Sequence, residues 1–152
     1  MEPACITLTP IGHVRTDVSD AEVSRRRRTI ESEIVLRDEF APALTGIEAY
    51  SHLIVLFWMD RVPGASTVLV THPRGDPALP LTGVLAARGR THPNPVGLAV
   101  VELLGRDGAR LRVRRLDAWD GTPVLDIKPY DHYDVFTDLR LPDWLAGRPG
   151  NS

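Results

Sequence analysis

The chain has 152 residues, of which 43% are apolar, so it is long enough for one domain with its own core. A formal net charge of −2 argues against a protein that binds nucleic acid through overall positive charge, and the single cysteine, Cys5, excludes an internal disulfide framework. No apolar run reaches the length of a membrane-spanning helix, and the N-terminus lacks the pattern of a signal peptide. We therefore expect one cytoplasmic domain over residues 1–146, followed by a disordered tail at 147–152.

Apolar periodicity predicts short strands along most of the chain. In the first half of the chain, we expect a strand within residues 5–16, a mobile loop at 17–28, a strand through Ile30, Ile34 and Leu36, and a helical turn at 38–43. A strand covered on both faces follows within 50–61, and further strands lie at 66–71 and 124–127. We also expect a helical turn at 141–145 that packs Trp144 onto the rest of the fold.

A β-hairpin is the clearest local feature. Two apolar runs, 96–104 and 111–116, flank Arg106-Asp107-Gly108, and Asp-Gly between alternating runs is the strongest short-range hairpin signal. Thirteen prolines and twelve glycines add many further turns. About seven short strands with hardly any helix predict a mainly β fold, a small closed barrel made of a single sheet with a few short helical segments.

Basic side chains concentrate in two clusters. Arg25–Arg28 is a run of four, whereas Arg110, Arg112 and Arg114 alternate and therefore share one face of a strand. A solvated outer face and an RNA-binding surface both fit such patterns.

Two polar loops flank the hairpin. The first, residues 88–95, has two X-Pro steps that favour extended backbone, and the second, residues 117–123, carries two carboxylates, a glycine and a tryptophan. Polar loops on a rigid scaffold are common places for binding and catalysis.

The motifs in this region resemble the signature of the TrmO/TsaA-like family. They are Gly83-Val-Leu-Ala-Ala-Arg88, Pro93-Asn-Pro-Val-Gly97 and the long run Leu116-Asp-Ala-Trp-Asp-Gly-Thr-Pro-Val-Leu-Asp-Ile-Lys-Pro-Tyr130, with further matches at 10–15 and 46–53. The resemblance implies an S-adenosylmethionine-dependent methyltransferase on a single-sheet β-barrel. Members of the family N6-methylate the threonylcarbamoyl-adenosine beside the anticodon of a tRNA.

The resemblance also implies roles for individual side chains. The cofactor-binding candidates are Met59, Asp60, Arg88, Leu98, Leu116 and Asp117, with Arg115 added as their neighbour. For Met59 a place in the core is an equally good interpretation, and for Asp117 the alternative is a turn-capping role.

On the substrate side, Asn94 between two prolines is placed for the target base. Asp120, Asp126, Lys128 and Tyr130 form the other polar set, and the last three share a strand face. The catalytic candidates are therefore Asp120, Asp126, Asn94 and Lys128, with Asp126 or Asp120 helping to remove the N6 proton. The alternative is a structural Asp126–Lys128 ion pair.

One position departs from the family pattern Ser-Pro-x-Arg-Pro-Asn-Pro. His92 stands where relatives have arginine, and Arg90 lies two residues earlier. An imidazole binds a substrate carboxylate only when protonated, whereas a guanidinium is always charged. The substrate-binding candidates are thus Arg90, His92, Asn94 and Tyr130, with either Arg90 or His92 making the contact.

Alternatives to tRNA methylation remain open from the sequence. The same fold could act on another RNA or a small molecule, or serve as a non-catalytic barrel that binds RNA or a ligand. His72, Asp76 and His92 could also support a metal-assisted hydrolase, although their spacing is weak evidence and we expect no metal. Because so small a barrel has little room for both a core and a nucleoside-sized pocket, and because the resemblance agrees, we expect a homodimer with the cofactor pocket near the interface.

Overall fold

Six antiparallel strands form a closed barrel in the computed structural model of the chain, which describes residues 1–62 and 67–148. The strands of the described residues are β1 Gly12–Arg15, β2 Glu31–Leu36, β3 His52–Trp58, β4 Val70–Thr71, β5 Thr82–Gly83, β6 Val96–Asp107, β7 Arg110–Arg114 and β8 Pro123–Pro129. The helices are α1 Asp20–Arg26 and α2 Asp143–Ala146, with 3-10 turns at Asp38–Leu44, Ile47–Ala49, Pro73–Gly75, Val84–Ala86 and His132–Asp134.

The barrel follows the order β1-β2-β7-β6-β3-β8, and β8 pairs again with β1. Closure leaves the six-stranded sheet without an unpaired edge. The predicted mainly β barrel is therefore confirmed, with one addition: β4 and β5 pair with each other in a separate two-stranded sheet. None of the helices in the described ranges is long and apolar enough to cross a membrane.

The core lies inside the barrel and explains why β3 is the most apolar strand. Leu53, Val55 and Phe57 point inward and are buried, while the residues between them are only half-buried. The prediction that this strand is covered on both faces was therefore wrong for the isolated chain. Opposite Phe57, a Cβ on Gly97 would lie 2.2 Å from the Phe57 ring, so a larger residue at position 97 would force this buried ring to move.

The predicted hairpin is confirmed as β6–β7. Asp107 pairs with Arg110, and the two loop residues are Gly108 and Ala109. Gly108 has φ = 58°, as the first loop position of a type II′ turn requires. Leu111 and Val113 are buried, so the three arginines of β7 lie on the outer face as expected.

The N-terminal predictions need correction. The first strand spans only β1, because residues 1–10 are exposed and outside regular structure. The expected mobile loop contains α1, which buries only Val23 and so gives little apolar periodicity. Acidic residues in its first turn and arginines in its last turn match the helix dipole.

Two later predictions are also changed. Of the strand expected at 66–71, only β4 forms, and Ser66 lies outside the described residues. The helical turn near the end is present as α2, but Trp144 faces the segment 78–86 and is not among the residues packed on the barrel core. Most of the tail expected to be disordered, 149–152, lies outside the described residues.

Candidate functional site

Three loops meet at one end of the barrel, which we call the loop end. They are residues 16–30 between β1 and β2, residues 59–62 and 67–95 between β3 and β6, and residues 115–122 between β7 and β8. The antiparallel register brings these loops together, because the end of β3 lies beside the starts of β6 and β8. Most of the predicted site residues lie on them.

Arg61 ties the three loops together. Its guanidinium donates to the carboxylate of Asp20 and, over 2.7 Å, to the backbone oxygen of Asp120. It also lies over the ring of Trp119, 5.3 Å from the centroid. The backbone N–H of Thr16 donates to Oδ1 of Asp120 over 2.9 Å. Asp120, a predicted catalytic residue, thus has a structural role in joining the loops, and its catalytic role stays a prediction.

Asp117 lies among charged side chains near this junction. Partial loss of hydration raises the pKa of the Asp117 carboxyl, because the charged form is less well solvated there. The positive charges of Arg27 and Arg90 act in the opposite direction and lower this pKa. The residue is nevertheless exposed in the single chain. An accessible carboxylate whose charge is partly desolvated is suited to bind a cationic group.

The residues before Asp117 form a fixed base for it. Leu116 is fully buried in the core, so its side chain is not exposed at the loop end. Arg115 has φ = 80°, and its N–H donates to the carbonyl of Ile30 over 2.9 Å. A left-handed arginine is an uncommon conformation of the kind found at functional sites.

The predicted apolar contacts lie at the end of β3 and the start of β6. The N–H of Met59 donates to the carbonyl of Pro95 over 2.8 Å, and the Met59 side chain is half-buried against the core. Leu98 lies on the outer face, opposite Leu56, and is 45% exposed. Asp60 is exposed just beyond Met59, so these positions offer both apolar and acidic contacts.

The proline-rich loop presents Arg90 and His92 differently. The Arg90 guanidinium lies 4.7 Å from the centroid of Trp119. His92 Nε2 lies 3.0 Å from the carbonyl oxygen of Ala87, and since a carbonyl only accepts, this nitrogen carries the proton. Asn94 is exposed between the two prolines, and Arg88 is exposed before them.

The structure separates two of the predicted substrate-side residues from the loop end. Lys128 Nζ lies 2.8 Å from Asp126 Oδ2, on the outer face of β8, and this hydrogen bond raises the pKa of Lys128. The structural ion pair considered from the sequence is therefore present. Lys128 pairs with Ile54, four residues or about 13 Å along β3 from Trp58.

Tyr130 lies further still from the loop end. Its N–H donates to the carbonyl of His52, and its ring contacts the His52 ring edge-on. Catalytic or substrate-binding roles for Lys128 and Tyr130 thus gain no support from the geometry. Asp126, which pairs with Leu56, is nearer the loop end but is engaged by Lys128 and by the N–H of Ile127.

Several arginines of the loops at the loop end form no ion pair within residues 1–62 and 67–148: Arg26, Arg27, Arg74, Arg88 and Arg90. On the outer face of β7, Arg110 and Arg112 also form none among these residues, whereas Arg114 bonds Glu31 over 2.9 Å and Glu102 over 2.7 Å. Unpaired guanidinium groups are available for an anionic ligand.

The residues considered for a metal site have other partners. His72 Nδ1 lies 2.7 Å from the carbonyl oxygen of Leu79, and Asp76 Oδ1 accepts from the N–H of Ala78 over 2.9 Å. Across the part of the chain that the structure describes, no three His, Cys, Asp or Glu side chains are grouped to hold a metal ion.

Sequence reasoning missed Arg61 as the residue that joins the loops. Its partners are 41 and 59 positions away, so no local pattern identifies them. The tryptophan in the 117–123 loop was the one feature of the sequence that could have indicated such a contact, because a half-exposed indole ring often binds a guanidinium group.

Comparison with known proteins identifies relatives of the chain. Residues 21–135 match the family model of the tRNA-methyltransferase O N-terminal domain. A probable S-adenosyl-L-methionine-binding protein of Methanothermobacter thermautotrophicus is 44% identical over 128 residues, which cover 82% of this chain and 90% of that protein. The tRNA (adenine(37)-N6)-methyltransferase of Escherichia coli is 41% identical over 97 residues, 59% of this chain and 40% of the enzyme.

Solved structures show the same fold. The crystal structure of TrmO from P. aeruginosa superposes with a TM-score of 0.74 at 31% identity, covering 94% of this chain. The chain spans 63% of that TrmO chain, and only 27% of an S-adenosyl-L-methionine-binding relative from Archaeoglobus fulgidus that is 50% identical over 104 residues. From its barrel, its loop-end motifs and these matches, the chain belongs to the family of tRNA-methyltransferase O N-terminal domains.

Proposed function

We propose that this chain is an S-adenosylmethionine-dependent methyltransferase that N6-methylates threonylcarbamoyl-adenosine next to the anticodon of a tRNA. The observation that carries the proposal is the loop end itself: Met59, Asp117 and the proline-rich loop converge there, on segments that match the family. Relatives named as S-adenosyl-L-methionine-binding proteins and as a tRNA (adenine(37)-N6)-methyltransferase support the cofactor and the substrate class.

The residues present fit the cofactor. S-adenosylmethionine carries a sulfonium, an ammonium, a carboxylate and an adenosine, and the loop end offers a counterpart for each. Asp60 and Asp117 are exposed carboxylates for the cations and ribose, and Arg88, which forms no ion pair among the described residues, is a guanidinium for the carboxylate. Half-buried Met59 and exposed Leu98 provide apolar surface for the adenine.

When bound, the cofactor supplies an activated methyl group, so the chain mainly has to align the acceptor nitrogen and exclude water. Arg61 fixes the spacing of the loops that would do so. Asn94, exposed on a stiff loop, is placed to orient the target base. The candidates for the proton acceptor are Asp120 and Asp126.

Arg90 is the better placed of the two candidates for the substrate carboxylate. It has no ion pair among the described residues and stacks on Trp119, which orients its fork. His92 already uses Nε2 to hold the carbonyl of Ala87. We therefore assign the contact with the threonylcarbamoyl carboxylate to Arg90 and a loop-bracing role to His92.

We further propose that the chain works as a homodimer in the cytoplasm. Cross-strand pairs on the outer face of β3 and β6 are apolar: Ile54 with Val100, Leu56 with Leu98, and Trp58 with Val96. Val96 and Leu98 are 41% and 45% exposed in the single chain, and such a continuous apolar face is typical of an interface. Because Leu98 is also a cofactor candidate, the pocket would adjoin this interface.

The dimer is tested by light scattering at micromolar concentration. Val100→Glu puts a charge on the apolar face, opposite Ile54, and should give a monomer, whereas Leu85→Glu, at an exposed position elsewhere, should leave the dimer intact. A wild type that is monomeric would refute the dimer without touching the methyltransferase assignment.

Calorimetric titration with S-adenosylmethionine, with and without EDTA, tests the cofactor. We expect binding that EDTA does not change. Mass spectrometry of tRNA nucleosides from cells with and without the gene tests the acceptor, and we expect N6-methylated threonylcarbamoyl-adenosine to disappear with the gene. Cofactor binding without a change in that nucleoside would point to another RNA or a small molecule, and no cofactor binding would point to a non-catalytic barrel.

A further inference from the structure

Two guanidinium groups lie over the indole ring of Trp119. The guanidinium carbon of Arg61 is 5.3 Å from the ring centroid, and that of Arg90 is 4.7 Å from it. Both distances are within the roughly 6 Å at which a cation is attracted to the face of an aromatic ring. Trp119 is half-buried and does not belong to the cofactor, substrate or catalytic candidates, so this contact has no assigned purpose at the site.

The backbone that carries Trp119 is attached to the barrel on both sides of the residue. Ala118 before it is buried in the core, and Thr122 after it is buried as well. The N–H of Thr122 donates to the carbonyl of Trp119 over 3.1 Å and closes a turn in which Gly121 has φ = 80°. The N–H of Gly121 donates to the carbonyl of Val14 over 2.8 Å, which ties this turn to β1. The indole therefore extends from a fixed segment.

Arg61 has partners besides the indole. Its guanidinium donates to the carboxylate of Asp20 and to the backbone oxygen of Asp120. These hydrogen bonds join the loops at the loop end without using the ring. Removal of the indole should therefore leave Arg61 in place and the loops joined.

Arg90 has no comparable support. Among the residues that the structure describes, its side chain forms no hydrogen bond and no ion pair, and it contacts the ring of Trp119. Arg90 is exposed and follows Gly89 in a stretch without helix or strand. A long side chain in such a place populates many rotamers unless a contact restricts it. The indole supplies that restriction.

A tryptophan face is well suited to hold an arginine that must still bind a ligand. It attracts the flat cation through its face and leaves the N–H groups of the guanidinium free to donate to a carboxylate. A guanidinium that is restricted before the ligand arrives also loses less conformational entropy on binding. We propose that Trp119 is a positioning residue: its indole holds Arg90 in place for the carboxylate of the threonylcarbamoyl group, and the preference of the chain for the modified adenosine over plain adenosine depends on that ring.

This inference rests on the proposed function and on the assignment of the substrate carboxylate to Arg90. It adds a residue that acts through Arg90 without touching the substrate. It also adds a consequence for specificity, because plain adenosine has no carboxylate for Arg90 to bind. Loss of the indole should therefore weaken the interaction with the modified tRNA and leave the interaction with an unmodified tRNA unchanged.

Kinetics and binding measurements with two matched tRNAs test this inference, one with threonylcarbamoyl-adenosine beside the anticodon and one with plain adenosine there. Trp119→Leu keeps an apolar side chain but removes the ring, and it should lower kcat/KM on the modified tRNA about threefold to tenfold, mainly through a higher KM. Trp119→Phe keeps a ring and should retain most of the activity. The affinities of both variants for S-adenosylmethionine and for the plain tRNA should match the wild type.

Trp144→Leu is the matched control. It makes the same change at another half-buried tryptophan, over which no arginine lies among the described residues, and it should match the wild type in every measurement. Thermal melts of each variant check that the fold is intact.

A double-mutant cycle with Arg90→Ala separates positioning from direct contact. If the ring acts through Arg90, Trp119→Leu has no further effect once Arg90 is removed, so the double variant should match Arg90→Ala in kcat/KM. Losses that add in the double variant would show that Trp119 contacts the RNA or the cofactor itself, and the inference would be wrong.

The other outcomes keep this inference apart from the proposed function. If the wild type methylates the modified tRNA and Trp119→Leu is equally active, or Arg90→Ala is, the inference is wrong and the methyltransferase assignment stands. If Trp119→Leu weakens binding of both tRNAs equally, or weakens cofactor binding, the ring supports the loops as a whole and the inference is again wrong. A wild type that methylates neither tRNA contradicts the proposed function, and the inference with it.

Discussion

Arg114 on the outer face of β7 and Arg90 at the loop end have different surroundings. Arg114 bonds Glu31 of β2 and Glu102 of β6, so it joins β7 to both neighbouring strands. Arg90 stacks on Trp119 and has no ion pair within the described residues. Arg110 and Arg112 of β7 also lack an ion pair among these residues, so the contact with Trp119 at the junction of the loops, and not the lack of an acid alone, distinguishes Arg90.

The largest expected effect comes from Arg90. Arg90→Ala should lower kcat/KM on tRNA containing threonylcarbamoyl-adenosine about tenfold to a hundredfold, because it removes a charge-assisted hydrogen bond to the substrate carboxylate. Arg112→Ala on β7 should leave kcat/KM unchanged. His92→Arg is the sharper control: if it raises kcat/KM while Arg90→Ala leaves kcat/KM unchanged, position 92 and not Arg90 makes the contact with the carboxylate.

Substitution of Asp117 should affect cofactor binding more than it affects the stability of the fold. Asp117→Asn should weaken S-adenosylmethionine binding about tenfold or more, since the cations of the cofactor lose a charged partner. In the wild type, cofactor affinity should fall on acidification at a pH above that of an ordinary aspartate, because the pKa of Asp117 is raised. Calorimetry across pH measures both effects.

Asp117→Asn should weaken cofactor binding without lowering the stability of the fold. A raised pKa means that folding favours the protonated carboxyl, so its stabilising contribution is complete below the ordinary pKa and is lost as pH rises through the raised one. At neutral pH the ionised carboxylate therefore destabilises the free protein slightly. Asp117→Asn should show an unchanged or slightly higher Tm, and a marked fall in Tm would show that Asp117 is a structural cap.

Arg61 should have a smaller effect, transmitted through the loops. Arg61→Gln removes the contacts with Asp20 and Trp119 and should weaken cofactor binding severalfold, with a small fall in Tm because the pair is exposed. Restoration of affinity by Arg61→Lys would indicate that charge alone suffices. Cofactor affinity equal to the wild type in Arg61→Gln would show that the loops hold their spacing without it.

The smallest expected effect is at Arg114. Arg114→Gln breaks two hydrogen bonds between strands and should lower Tm slightly, with no change in kcat/KM. A loss of activity without a loss of stability would place the β7 face in the substrate-binding surface and remove the contrast between the two regions.

Local turn chemistry made some of the fold predictable. Asp107-Gly108 specifies its hairpin because only a few residues supply a positive φ at the first loop position. The alternation in β7 likewise fixes which side chains face outward. By contrast, α1 buries a single residue and residues 1–10 alternate without being buried, so periodicity missed the helix and overextended β1.

The candidate site was predictable only as a set of loops. Residues 88–95 and 117–123 were singled out by composition, and the structure brings both to the loop end. Their partners depend on register: Arg114 bonds a residue 83 positions away, and Lys128 lies on the same strand as Asp126 but further from the loop end. No local pattern carries that information, because it arises when the barrel closes.

The most direct test of the proposed activity is methyl transfer by the purified chain, followed by mass spectrometry of the digested tRNA. Matched substrates are one tRNA with threonylcarbamoyl-adenosine beside the anticodon and the same tRNA with plain adenosine there. We predict one added methyl group on the modified nucleoside, absent with Arg90→Ala and kept with Arg112→Ala. Methylation of neither tRNA, or an equal fall in transfer with both variants, would contradict the proposed function.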